Sequence, residues 1–185
     1  MELILEKLNG LKLFQLKIFS DERGSFCETF KESELQKFNL PTYFPQENQS
    51  ISKKNVIRGL HFQTSQPQGK LIRVVKGSAK FIELDLRKNS PTFGQYASFL
   101  LNADNVNLLW VPAGFANGFL SLSDELIVSY KVTNYWSPNS EGTILYNDQN
   151  LNIDWGISSP IVSEKDKKGM SFNEFIEKNI DFETI

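Results

Sequence analysis

The only histidine of the chain, His61, is the residue whose chemistry most restricts what the protein does. It lies in the motif Arg58-Gly59-Leu60-His61-Phe62-Gln63, where strand alternation would place His61 and Gln63 on one face. Because imidazole titrates near neutral pH, an accessible His61 would be a candidate general base. A hydrogen-bonded core histidine is the alternative. A metal site with several imidazoles cannot be built from one chain that has a single histidine.

A carboxylate hydrogen-bonded to the second ring nitrogen of a catalytic histidine would fix the tautomer and stabilise the imidazolium. Local patterning leaves four candidates open for this role: Asp21, Asp85, Asp148 and Asp166.

Other polar residues are equally ambiguous from spacing alone. Tyr130 alternates with Leu126 and Val128, which is typical of a core tyrosine, and Lys70 would ordinarily be a solvated strand residue. The segment 114–119, with two glycines and two phenylalanines, suits either a tight barrel corner or a pocket wall.

Short alternating segments separated by turn formers dominate the middle of the chain. In residues 79–87, Ile82, Leu84 and Leu86 share one face and mostly polar residues the other, which predicts a half-buried strand. Further strands are predicted over residues 71–76, 96–101, 108–111 and 126–132.

Two short helices are predicted near the ends of the chain. Capping-box patterns begin at Ser33, for a helix ending near Asn39, and at Ser171. Many short strands with helices only near the ends predict an all-β sandwich or barrel.

The composition is that of a globular protein, with 185 residues, 40% hydrophobic and 23% charged. We predict one domain over residues 1–185. The net charge of −2 and a pI of about 5.5 lack the basic footprint of nucleic-acid binders. The lone Cys27 rules out an internal disulfide. No apolar run resembles a signal peptide or a bilayer span, so we expect a soluble, cytoplasmic protein.

Several motifs, in order and at family-like spacing over roughly residues 16 to 170, resemble those of the dTDP-4-dehydrorhamnose 3,5-epimerases. They are Asp21-Glu22-Arg23-Gly24-Ser25-Phe26-Cys27-Glu28, Gln46-Glu47-Asn48-Gln49-Ser50, Val56-Ile57-Arg58-Gly59-Leu60-His61-Phe62-Gln63, Gln68-Gly69-Lys70-Leu71-Ile72-Arg73, Ser90-Pro91-Thr92-Phe93-Gly94-Gln95, Pro112-Ala113-Gly114-Phe115-Ala116, Tyr130-Lys131-Val132-Thr133-Asn134-Tyr135 and Asn147-Asp148. Each motif alone is weak, whereas the ordered set is specific.

The resemblance implies a cupin-type jelly-roll barrel, a homodimer and chemistry without metal or cofactor. It also implies a reaction on a nucleoside-diphosphate 4-keto-6-deoxy sugar, in the biosynthesis of cell-surface polysaccharides. A proton leaves the carbon beside the ketone, an enolate forms, and a proton returns to the opposite face.

The resemblance also implies roles for individual residues. His61 is similar to the family's base, Asp166 to its carboxylate partner, Tyr130 to the acid on the far face and Lys70 to the cation at the enolate oxygen. The implied substrate contacts are Arg58 and Arg23 at the diphosphate or nucleotide, Glu28, Gln46 and Asn48 near the sugar or base, and Phe26 stacked on nucleotide, often that of the neighbouring subunit.

One position departs from the family pattern, which reads Gly-Phe-Ala-His-Gly-Phe where this chain has Asn117. Asparagine keeps a hydrogen-bond donor but carries no charge near neutral pH. Three explanations of Asn117 are open. The asparagine is tolerated with the usual substrate, it marks a different substrate such as a GDP-linked 4-keto-6-deoxy-heptose, or it limits inversion to C3. A related 3,4-ketoisomerase and a non-catalytic sugar-nucleotide binding module are the other hypotheses.

Overall fold

The computed structural model describes residues 1–183, and its regular secondary structure is mostly strand. The strands are β1 (Glu2–Lys7), β2 (Leu11–Gln15), β3 (Ile18–Asp21), β4 (Gly24–Cys27), β5 (Gln46–Lys53), β6 (Val56–Gln63), β7 (Lys70–Lys76), β8 (Ser78–Asp85), β9 (Tyr96–Asn102), β10 (Asn107–Val111), β11 (Phe115–Ser121), β12 (Glu125–Val132), β13 (Glu141–Thr143) and β14 (Ile161–Val162). The helices are α1 (Glu32–Gln36), α2 (Glu164–Lys167) and α3 (Phe172–Glu177).

The strands form two large sheets and one small hairpin. The first sheet has the order β1-β2-β10-β7-β12-β5, and the second has the order β13-β6-β11-β8-β9 with β14 paired to β6. Strands β3 and β4 form the separate hairpin. The all-β prediction is therefore confirmed.

The inner faces of the two sheets pack against each other. Ile72, Val74 and Val128 from the first sheet meet Phe81 and Phe119 from the second in one buried cluster. This cluster fills only part of the space between the sheets, because polar side chains take its place near the β6–β11 pair. That opening is where the candidate site lies.

The outer face of the second sheet is covered as well, by the C-terminal part of the chain. Trp155 and Phe175 pack there on Ile82 and Leu84. Strand β8 is therefore buried on both faces, and the prediction that it is half-buried with a solvated polar face is wrong: Glu83 has 0% exposed surface. A single alternation pattern cannot reveal a second covering layer.

The other strand predictions are confirmed by β7, β9, β10 and β12, which match them to within about a residue at each end. The capping box at Ser171 is also confirmed, with both hydrogen bonds formed at the start of α3. The capping box at Ser33 is wrong, because α1 begins after Lys31, whose side chain makes no cap hydrogen bond. Among residues 1–183, no helix has the length and apolar character needed to cross a membrane.

Candidate active site

A cavity of about 230 Å³ opens between the two sheets and gathers most of the residues singled out from the sequence. Its walls are formed by Ser50, Arg58, His61, Lys70, Ile72, Phe81, Asn117, Phe119, Val128, Tyr130 and Glu141. Many small-molecule sites enclose about 300–1,000 Å³, so a cavity of this size suits a sugar ring better than a whole nucleotide sugar.

A close approach of two backbones places His61 on the wall. Gly59 has φ +117, and a Cβ there would lie 2.6 Å from the Asn117 carbonyl oxygen and from the Gly118 Cα. Only glycine allows β6 and β11 to pass at this distance. Leu60 and Phe62 then enter the core behind the sheet, while His61 faces the cavity with 30% of its side chain exposed.

His61 is oriented by Asp166, which lies in α2. The ring Nε2 is 2.7 Å from Asp166 Oδ1, and Asp166 Oδ2 accepts the Gly59 N–H at 3.2 Å. The Asp166 side chain is only 4% exposed. Burial by itself raises the pKa of this carboxyl, but the hydrogen bonds from His61 and Gly59 outweigh it and leave the pKa below its usual value. Because an ionised carboxylate only accepts hydrogen bonds, the contact assigns the ring proton to Nε2, so Nδ1 is the nitrogen that can accept a proton.

The other three acidic candidates have different partners. Asp21 binds Arg23 in the turn of the β3–β4 hairpin. Asp85 accepts hydrogen bonds from Arg87 beyond the end of β8. Asp148 accepts backbone N–H groups, including that of Phe172. The choice that spacing left open is therefore decided by the contact of Asp166 with His61.

Across the cavity, the opposite sheet contributes a phenol and an ammonium group. Tyr130 lies on β12 and Lys70 at the start of β7, and both line the cavity. Burial raises the pKa of Tyr130, against the opposing effect of a hydrogen bond with Asn48. Burial lowers the pKa of Lys70, and the carboxylates of Glu83 and Glu141 act in the other direction. Spacing suggested a core tyrosine, whereas Tyr130 packs against the buried cluster while only partly buried, and its side chain lines the cavity.

A row of polar side chains crosses the second sheet from His61. Asn117 on β11 pairs in register with His61 on one side and with Glu83 on the other. Asn117 Nδ2 donates to Glu83 Oε1 at 2.6 Å. Glu83 was not predicted as a site residue, because alternation assigned it to a solvated face. Its position between Phe81 and Asp85, on the face that points inward, was the available signal.

The predicted substrate contacts divide into two groups. Arg58 lines the cavity and donates to Ser52 Oγ at 3.0 Å and to the Ile51 carbonyl at 3.1 Å. Gln46 and Asn48, on β5 beside Tyr130, are hydrogen-bonded to each other at 2.9 Å. These residues lie at or near the cavity of their own chain.

The second group lies outside the cavity. Arg23 is 85% exposed in the hairpin turn, and Phe26 on β4 is 65% exposed. Glu28 binds Lys31 at 3.3 Å and borders a separate cavity of about 150 Å³ near α1. One chain therefore does not bring these three residues to the His61 cavity, and their assignment as substrate contacts stays a prediction.

The arrangement is suited to moving protons on two sides of a bound molecule. An imidazole held by a carboxylate lies on one sheet, and a phenol and an ammonium group lie on the other. A protonated lysine on that wall is the kind of group that can stabilise a negatively charged oxygen.

Comparison with known proteins identifies the family. The family model described as dTDP-4-dehydrorhamnose 3,5-epimerase matches residues 6–174. The chain is 43% identical over 162 residues to the dTDP-4-dehydrorhamnose 3,5-epimerase of Pseudomonas aeruginosa, covering 86% of this chain and 90% of that one.

Two solved structures extend the comparison. One is the dTDP-6-deoxy-D-glucose-3,5-epimerase of Legionella pneumophila in complex with dTDP-4-keto-L-rhamnose, with a TM-score of 0.93, 36% identity, and 100% and 99% of the two chains covered. The other is a 3'-monoepimerase of Streptomyces bikiniensis in complex with dTDP-quinovose, with a TM-score of 0.90, 26% identity, and 97% and 91% covered. The predicted cupin-type jelly roll is thereby confirmed. The chain belongs to the dTDP-4-dehydrorhamnose 3,5-epimerase family.

Proposed function

We propose that the protein is an isomerase that inverts C3 and C5 of a nucleoside-diphosphate 4-keto-6-deoxy sugar. The observation that carries the proposal is the 2.7 Å contact of His61 with the buried Asp166, at a cavity whose opposite wall holds Tyr130 and Lys70. The relatives named above supply the substrate class. Their names favour deoxythymidine diphosphate as the nucleotide over the GDP-linked heptose.

In the first step, His61 Nδ1 takes the proton from the carbon beside the ketone. The carbon–hydrogen electron pair becomes the carbon–carbon double bond of the enolate, and the carbonyl electrons move to the oxygen. Asp166 stabilises the imidazolium that forms and keeps the ring in the reactive tautomer. Lys70 lies where its ammonium group would stabilise the enolate oxygen, an interaction that strengthens as negative charge develops.

In the second step, the Tyr130 phenol returns a proton to the opposite face of the same carbon. The raised pKa of Tyr130 keeps the phenol protonated at neutral pH, which a donor requires. Because His61 and Tyr130 lie on opposing sheets, one removes and the other adds a proton across the sugar plane. Inversion follows from this placement, and solvent exchange then restores both groups.

The nucleotide would lie at the mouth of the cavity, since the enclosed volume suits only the sugar. Arg58 at the rim is a diphosphate contact, and Gln46 and Asn48 lie beside the sugar. The exposed Phe26 and Arg23 of the β3–β4 hairpin would complete the nucleotide site of a neighbouring subunit in a homodimer. A phenylalanine 65% exposed on a separate two-stranded hairpin supports that use.

Inversion at C3 alone is the alternative that a specific observation favours. Asn117 lies beside His61, where the family pattern has a histidine, and one structural relative is a 3'-monoepimerase. The oriented imidazole, phenol and ammonium groups argue against a non-catalytic binding module, which would need none of them. A ketoisomerase would give a product with the carbonyl moved to C3.

The test is to incubate the protein with dTDP-4-keto-6-deoxyglucose in D₂O and follow C3 and C5 by NMR. We expect deuterium at both carbons and a product with both centres inverted. Uptake at C3 alone would establish the one-centre alternative, and a displaced carbonyl would establish the ketoisomerase. A GDP-linked 4-keto sugar, run in parallel, tests the nucleotide.

The matched variant for this test is His61→Ala. It should reduce exchange by about 10²–10⁴, the usual contribution of a general base, while dTDP affinity stays nearly unchanged. Exchange at the normal rate in this variant would remove His61 from its assigned role. Absence of exchange in the unmodified protein with every sugar nucleotide would overturn the proposed function.

A further inference from the structure

Gln63 is a buried polar residue of the His61 motif that the steps above do not use. It is the last residue of β6 and is only 5% exposed. Its Nε2 donates to the Gln66 carbonyl at 2.6 Å and to the Tyr135 carbonyl at 3.0 Å, and its Oε1 accepts the Ser137 N–H at 2.8 Å. Two carbonyl acceptors and one N–H donor leave a single orientation for the amide. Both of its N–H groups and its oxygen are therefore engaged.

The three partners of Gln63 belong to two connections that cross between the sheets. Residues 64–69 lead from β6 in the second sheet to β7 in the first, directly before Lys70. Residues 133–140 lead from β12 in the first sheet, which carries Tyr130, to β13 in the second. Gln63 therefore joins the strand of His61 to the chain segments that flank Lys70 and Tyr130 on the opposite wall.

The two connections are also bound to each other. Gln68 Nε2 donates to the Asn134 carbonyl at 2.9 Å, and Asn134 Nδ2 donates to the Pro67 carbonyl at 2.8 Å. The Gly69 N–H donates to Thr133 Oγ1 at 2.8 Å, and the Thr133 N–H donates to the Gly69 carbonyl at 3.0 Å. A displacement of one connection would therefore be passed to the other.

The backbone of Gln66 shows why the first connection needs an anchor. Its φ of +51 lies in the left-handed region, which is unfavourable for a residue with a Cβ and persists where surrounding contacts hold it. Gln63 binds the Gln66 carbonyl, and Glu183 Oε2 accepts the Gln66 N–H at 2.9 Å. Loss of the Gln63 contact would leave this turn held from one side only.

Inversion makes the separation of the two walls critical. His61 must reach the carbon from one face and Tyr130 must reach the same carbon from the other. A small error in this separation would impair the second proton transfer even where the first still occurs.

We propose that Gln63 is a positioning residue, which sets the separation of His61 and Tyr130 by anchoring the two connections between their sheets. Its effect on the reaction rests on the proposed function, because the separation matters there for proton transfer on two faces. The anchoring of the connections does not depend on any reaction.

The direct test measures hydrogen–deuterium exchange of backbone amides by NMR, without substrate. Gln63→Met removes all three hydrogen bonds at similar side-chain length, whereas Gln63→Glu keeps an acceptor for the Ser137 N–H. We expect Ser137 to lose about tenfold in protection in Gln63→Met, the equivalent of one hydrogen bond, and to keep its protection in Gln63→Glu. The matched control is Gln95→Met, an exposed glutamine before β9, which should leave Ser137 unchanged. Full Ser137 protection in Gln63→Met would overturn the proposal.

The second test compares two rates in the D₂O assay. Deuterium uptake with retained configuration needs His61, whereas inversion needs Tyr130 as well. In Gln63→Met we expect inversion to slow by about 10²-fold, the cost of a misplacement of about 1 Å, with a smaller loss of uptake. Gln63→Glu, which loses both N–H donors, should lower the ratio of inversion to uptake in the same direction.

The outcomes of the two tests separate this proposal from the proposed function. A fall of both rates in equal proportion, in both variants, would refute the role of Gln63 in spacing the two walls. If the unmodified protein exchanges no sugar proton at all, the proposed function fails, yet the protection of Ser137 still decides whether Gln63 anchors the connections.

Discussion

Replacing Asp166 by Asn tests most directly how the site makes His61 a base. The carboxylate accepts two donors at once, the His61 Nε2–H at 2.7 Å and the Gly59 N–H at 3.2 Å. An asparagine offers one acceptor and one donor, so it satisfies only one of them. If its oxygen keeps Gly59, its NH₂ faces His61 and moves the ring proton to Nδ1, the nitrogen that should receive the substrate proton.

The magnitude follows from this change of tautomer. The equivalent substitution in serine proteases costs about 10⁴ in turnover, because the geometry survives and the wrong nitrogen carries the proton. We expect a loss of about 10³–10⁴ here, which corresponds to about 4–5 kcal/mol of transition-state stabilisation. The misplaced amide would also leave a buried donor unpaired, at a cost of about 1–3 kcal/mol in the free energy of unfolding.

The assay is the rate of deuterium uptake at C3 in D₂O, together with thermal unfolding of the same preparations. Asp124→Asn is the matched control, since Asp124 is exposed and distant in the β11–β12 turn. Retention of activity within about tenfold in Asp166→Asn would contradict the assignment of Asp166 as the orienting carboxylate. Loss of activity with dTDP binding also lost would show a collapsed site instead of a wrong tautomer.

Other predictions concern the far wall, the fold and the subunit contact. Tyr130→Phe should keep deuterium uptake at C3 but slow formation of the inverted product by about 10²–10⁴, so NMR of the recovered substrate should show exchange with retained configuration. Lys70→Met should slow exchange by about 10²–10³ with little change in dTDP affinity by calorimetry. Asp85→Ala should cost about 3–5 kcal/mol in urea unfolding, because it leaves Arg87 without its carboxylate partner beside the core. Burial raises the pKa of Asp85, but hydrogen bonds from Arg87, Ser90 and Thr92 outweigh it and lower the pKa in the folded state. The stability that Asp85 adds is therefore present above its unfolded pKa and is lost as the pH falls through the folded pKa. Phe26→Ala should weaken dTDP binding. When this variant is mixed with His61→Ala, which keeps Phe26, activity should return only if Phe26 of one subunit completes the nucleotide site of the other.

Much of the fold and part of the site were accessible from the residues alone. Alternation located β7, β9, β10 and β12, because one covered face imposes a period of two on a strand. The ordered motifs pointed to the family and therefore to His61, Lys70, Tyr130 and Asp166. What spacing alone could not supply was the partner of His61, since four aspartates were equivalent by pattern.

The tertiary structure decided what depends on residues far apart in the chain. Asp166 follows His61 by 105 positions, and only the packing of α2 on β6 brings their side chains within 2.7 Å. Alternation predicts that Glu83 is a solvated strand residue, but its face of β8, which also carries Phe81, packs against the first sheet, while the C-terminal segment covers the opposite face. A local pattern records which residues share a face of an element, whereas the identity of whatever covers that face comes from distant parts of the chain.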